Sequence, residues 1–173
     1  MAAAAVVAGA CDKPPKELAG FGPWHVAKTT VGKVTGGRCD PTTFEDGRKG
    51  VWCYALPPVR MGRRPGQVNL YFSDGSATAD AVGSAANLAS PLVELQLVVR
   101  GCDVVDLDRF LRDHLGPPRE SGAGRAFWEN HYMLVATLLP DRDGSCLVRA
   151  FPLAERAAYD AVKAAPPPGA DPR

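Results

Sequence analysis

The 173-residue chain has no apolar run approaching the ~20 residues that a membrane-spanning helix needs. It also has no excess charge of either sign. Twenty Lys and Arg face nineteen Asp and Glu, a net charge of +1. No field of one sign is therefore available to steer the whole molecule to nucleic acid, and no nucleic-acid partner is expected. No Cys-x-x-Cys occurs, and no Cys/His cluster has zinc-ligand spacing, so no metal site is expected. The phosphate-cradling P-loop, the Gly-x-Gly-x-x-Gly turn and the Gly-x-Ser-x-Gly elbow are all missing. No cofactor is expected, and there is no internal repeat.

The composition that is present suits a globular domain rather than a disordered chain, with 46% hydrophobic and 23% charged residues. The length suits one domain. Eighteen Gly and sixteen Pro predict many loops. "FGPWHVAKTTVGKV" (21–34) reads as a strand entering a turn, with Trp24 and Val26 on one side. "VWCYAL" (51–56) and "VNLYF" (68–72) alternate as strands, and "PPVRMGRRPGQ" between them is a turn-rich connection. Residues 73–90 form a long Gly/Ser/Ala-rich loop. "PLVELQLVVR" (91–100) sets Val93, Leu95, Leu97 and Val99 against Glu94, Gln96 and Arg100, the signature of a half-buried strand.

A helix is expected over about 104–115. Asp103 or Asp106 caps it, and Leu107, Phe110, Leu111 and Leu115 form one stripe. Gly116 and the two prolines after it stop it. Residues 126–140 read as one long strand, "DRDG" as a hairpin turn, 145–153 as the return strand and "AERAAYDAVKAA" as a short C-terminal helix. The expected fold class is α+β: a mostly antiparallel sheet with the central and C-terminal helices packed on one face.

Residues 2–10, "AAAAVVAGA", are apolar or small and end at Cys11. The Ala-Gly-Ala-Cys segment resembles a bacterial lipobox. That resemblance implies lipidation of Cys11 and a membrane-lipid anchor in a bacterial cell envelope. Residues 1–11 are then a signal-like segment, 12–20 a linker, 21–164 the domain and 165–173 a tail. The alternative is an Ala-rich start with a chance cysteine.

With Cys11 set aside, Cys39, Cys53, Cys102 and Cys146 remain. Four cysteines allow three pairings. Sequence order and the strand reading favour Cys39–Cys53 and Cys102–Cys146. Disulfides need the oxidising compartment that export supplies. The competing reading is a cytoplasmic protein with five reduced thiols.

The segment "FLRDHLGPPRESGAGRAFWENHYMLVATLLPDRDGSCLVRAF" resembles the helix–"LGPP"–aromatic–hairpin unit of small envelope modules of the β-lactamase-inhibitor-protein type. It covers about a quarter of the chain. Such modules serve binding and scaffolding, and no functional residue carries over.

Candidate chemistry is sparse. Glu129 and His131 share one face of the expected strand at i, i+2, an arrangement open to proton transfer. His114 suits the last helical turn, and His25 follows Trp24 in a strand. Arg60, Arg63 and Arg64 make a basic turn that can meet lipid head groups or an acidic partner. Trp24, Trp52, Tyr54, Tyr71 and Phe72 either line a groove for a peptide or glycan or fill a core. Arg112 follows Asp108 by four and Arg109 follows Asp106 by three, an ordinary exposed ion-pair face. The expectation is a non-catalytic, envelope-anchored interaction domain with an unidentified envelope-protein partner, binding through the 73–90 loop or the 60–64 turn. The alternatives are a soluble intracellular enzyme using a thiol or the Glu129/His131 pair, and a secreted binding or inhibitor protein.

Overall fold

The structure, a computed structural model, describes residues 18–73, 88–138 and 144–166. Cys11 with the signal-like segment, most of the linker, the bulk of the 73–90 loop, residues 141–143 of the hairpin turn and the end of the tail lie outside the described residues. Leu18, assigned above to the linker, packs against the domain core.

Strands β1 (Gly20–Phe21) and β2 (Trp24–His25) form a small antiparallel pair. The main sheet contains β3 (Arg38–Thr43), β4 (Lys49–Tyr54), β5 (Val59–Met61), β6 (Arg64–Ser73), β7 (Leu92–Val99), β8 (Glu120–Gly122), β9 (Arg125–Glu129), β10 (Met133–Leu138) and β11 (Cys146–Pro152). Helix α1 (Val104–Leu115) follows β7, and helix α2 (Arg156–Ala164) follows β11. Every pairing is antiparallel, in the order β3-β4-β6-β7-β11-β10-β9-β8, with β5 beside β6. The chain is thus an α+β domain built on one large antiparallel sheet.

One sheet face is dry. Val68 and Leu70 of β6, Leu95 and Leu97 of β7 and Val148 and Ala150 of β11 are fully buried on it. Leu107 and Leu111 of α1 cover part of that face, and Phe21, Trp24 and Val26 cover another part. Each such aliphatic burial contributes about 2 kcal/mol. The opposite, outer face carries a second cluster: Phe127, Leu134, Ala136 and Phe151 under Tyr159 and Val162 of α2. The helices therefore sit on opposite faces, which corrects the expectation of one shared face. The cause is strand alternation. Val135 points to the core that α1 covers, while Leu134 and Ala136 point to α2.

Asp103 supplies the α1 cap, accepting from the N–H groups of Val105 and Asp106 at 3.0 and 3.2 Å. Gly116, at φ +80°, ends the helix, and its carbonyl accepts from Trp128 Nε1 at 2.9 Å. At the end of α2, the Arg125 guanidinium donates to the carbonyls of Val162, Lys163 and Ala165.

The expected long strand over 126–140 is instead a hairpin, β9 and β10. Asn130 breaks it. Its side-chain oxygen accepts from the N–H groups of Tyr132 and Met133, and its own N–H bonds to Met133 O. The segment between Cys39 and Cys53 forms another hairpin, β3–β4. Residues read as a turn-rich connection form β5, which folds onto β6 through Gly62 at φ +66°.

The chain carries two disulfides, Cys39–Cys53 and Cys102–Cys146. The first links residues directly opposite in β3 and β4, with Cα atoms 4.0 Å apart. That short separation marks a pair without ladder hydrogen bonds. By alternation, Pro41 opposite Val51 is another such position, so its nitrogen faces away from β4. The edge thus offers no N–H where an incoming strand would seek one. We expect Pro41→Val to leave the fold intact and to raise self-association, read by sedimentation velocity across a concentration series. An unchanged profile would show that Pro41 does not guard the edge.

Candidate functional site

The outer face of β4, β6, β7 and β11 is only partly covered. Between the β3–β4 loop and α2 it forms a trough of about 440 Å³, within the range of ligand sites. Phe44, Tyr71 and Val93 line one side, and Ala158, Ala161 and Val162 of α2 line the other. Val93 reaches this face because the β6–β7 register shifts between Tyr71 and Phe72. Leu92 takes the place on the dry face that the sequence pattern assigned to Val93.

The floor is polar and internally satisfied. Arg149 of β11 forms a two-pronged pair with Glu94 of β7, Nε to Oε1 at 2.5 Å and Nη2 to Oε2 at 2.8 Å. Gln96 Nε2 donates to the same Glu94 Oε1 at 2.8 Å. The two side chains are 25% and 14% exposed, so the pair sits partly out of water. Burial pulls the Arg149 guanidinium down, but the hydrogen bond and charge of Glu94 outweigh it and hold the group above its ordinary value. Burial, with the Glu94 charge behind it, pushes the Tyr71 phenol up from 10.0.

An aromatic row leads to the trough. Tyr54 stacks on Trp52 with centroids 4.4 Å apart, Trp52 lies parallel to Tyr71 at 6.3 Å, and Tyr71 meets Phe44 at 6.3 Å. Trp52 Nε1 donates to Asn69 Oδ1 at 3.2 Å, fixing the indole. The loop wall is fastened at its tip. Arg48 pairs with Asp46 at 2.7 Å and with Glu155, just before α2, at 3.2 Å.

The histidines, Glu129 and the basic turn singled out from the sequence lie elsewhere. Glu129 and His131 do not share a strand face. Glu129 ends β9 and holds Arg156 at 3.0 and 3.2 Å, while His131 lies in the turn to β10. The Arg156 hydrogen bond keeps the Glu129 carboxyl below its usual range. His114 Nδ1 lies 2.7 Å from Phe110 O, and His25 meets the Tyr132 ring edge-on. Arg60, Arg63 and Arg64 lie at the β5–β6 turn, and none of them lines the trough. Arg63 donates its N–H to Asp106 Oδ2 at 2.7 Å, and Arg60 Nε donates to Gly62 O at 2.9 Å. Asp106 is therefore engaged by Arg63, while the expected Arg112–Asp108 pair is present at 2.7 Å. Trp24 and Phe72 fill the core, whereas Trp52, Tyr54 and Tyr71 belong to the open face.

All four described cysteines are in disulfides. Among the described residues, no group of three His, Cys, Asp or Glu could hold a metal ion. Sequence reading missed Phe44, Arg48, Glu94 and Arg149 as site residues. The available signal was polar Glu94 and Gln96 interrupting an apolar strand, with Arg149 interrupting another. No protein family, curated protein or solved structure matches the chain.

Two outcomes are expected. Glu94→Gln strands a half-buried guanidinium and lowers stability by about 2 kcal/mol, less than for a fully buried pair. Adding Arg149→Met recovers most of that loss, as measured by urea denaturation, whereas additive losses would mean that the pair is not coupled. The neutral Tyr71 phenol is favoured in the fold. Its contribution to stability is present below its unfolded value near 10.0 and is lost as pH rises through the folded value. Tyr159 is shifted the same way, chiefly by burial. Denaturation midpoints should therefore fall in alkali, and Tyr71→Phe should make that fall shallower. An equal slope would remove Tyr71 from the account.

Proposed function

We propose that this chain is a non-catalytic binding module of a bacterial cell envelope, tethered through lipidated Cys11 and engaging a protein partner at the outer-face trough. The observation that carries the binding role is the trough itself: open, aromatic-walled, and floored by side chains already hydrogen-bonded to one another. Such a floor is rigid before any partner arrives, which lowers the ordering cost of binding. The sheet edges suit strand addition poorly, one carrying Pro41 and the other a strand of only three residues. Recognition then falls to the face. Two disulfides fit a protein that matures in an oxidising compartment, and the Ala-Gly-Ala-Cys segment supports the tether.

The deciding experiment is metabolic labelling with a radioactive fatty acid in the native host, followed by thiol counting on denatured protein. Label is expected in the parent and absent in Cys11→Ser, with no free thiol among the other four cysteines. An unlipidated protein with four titrating thiols would overturn the envelope assignment. An unlipidated but oxidised protein in the medium would favour a secreted binder.

A further inference from the structure

Resting on that reading of the trough, we propose that its occupant is a basic side chain, Lys or Arg, presented by the partner protein. Four carboxylates line the trough, Glu45, Asp46, Glu94 and Glu155, against two guanidiniums, Arg48 and Arg149. The lining charge is therefore −2. Both guanidiniums are already committed: Arg149 to Glu94, and Arg48 to Asp46 and Glu155. Neither is free to receive an anion without breaking an ion pair.

Glu45 stands differently. It is exposed on the loop wall, and no ion pair to it is present among the described residues. Its charge acts on Arg149 in the same direction as that of Glu94, adding to a negative potential over the floor. An arriving cation is drawn by that potential, and its alkyl stem meets apolar surface. Phe44 and Tyr71 offer rings, and Ala158, Ala161 and Val162 offer aliphatic contact. A long basic side chain combines these properties, with an apolar stem and a charged head. Aromatic walls add cation–π attraction, a mode already present here between Arg48 and the Phe44 ring at 5.5 Å.

The test is a titration of the full chain, followed by amide and side-chain NMR, with three blocked tripeptides that differ only in the central residue: lysine, N-acetyl-lysine and glutamate. Expected is a shift of the Phe44, Tyr71 and Gln96 signals with the lysine peptide, and little or none with the other two. Raising salt should weaken the response. Glu45→Gln should weaken binding about threefold, the size of an exposed ion pair, while leaving the thermal midpoint unchanged. Equal binding of the acetylated peptide, or preference for the glutamate peptide, would overturn the basic-side-chain assignment and leave the trough as a binding site. Silence of the trough signals with all three peptides would overturn this assignment and count against the trough as the binding surface as well.

Discussion

The central strands β6, β7 and β11 are flanked by hydrogen-bonded neighbours on both sides. Their side chains must alternate between two faces. On one face Leu70, Leu95, Leu97 and Val148 leave no exposed surface. The same residues force Asn69, Glu94, Gln96 and Arg149 to the other side, in a row set by the register Asn69–Gln96–Arg149. An Arg in the middle of a sheet face is costly unless it is paired. Glu94 lies within reach because β7 neighbours β11 in space. The polar floor of the trough is thus the obligatory reverse side of the hydrophobic core.

The extent of the opening follows from size. Eight strands about 4.8 Å apart make a sheet roughly 34 Å wide. Helix α2 has nine residues and extends about 14 Å. It shields Phe127, Leu134 and Phe151, and it cannot also reach β4 and β6. The dry face is covered differently, by α1 together with the β1–β2 segment. Two covers on one face and one on the other leave a half-open outer surface. Its aromatic residues hold one another in place, with Trp52 between Tyr54 and Tyr71.

The disulfides act at places where the sheet alone gives little restraint. Cys39–Cys53 fastens edge strand β3 to β4. Cys102–Cys146 joins the entrance of α1 to the first residue of β11. Chain-entropy reasoning assigns about 3 kcal/mol to a crosslink of the shorter span and about 4 to the longer. Together they hold α1 and the β3–β4 hairpin, the two elements that frame the dry face and the trough.

Local pattern alone determined a good deal. The alternation in 94–99, the stripe Leu107–Leu111 with its Asp103 cap, and the terminal helix were legible, because neighbours along the chain decide period and capping. The α+β class followed from their order. The break at Asn130 was hidden, since an Asx turn inside an aromatic, β-branched run looks like more strand. Strands β3 and β5 were hidden among prolines and glycines, whose tolerance depends on lying at an edge or a tight turn. The site itself belongs to the tertiary structure. Phe44, Glu94, Arg149 and Glu155 are scattered over more than a hundred residues. Only strand order and register, which arise from long-range pairing, bring them into one trough and send α1 and α2 to opposite faces.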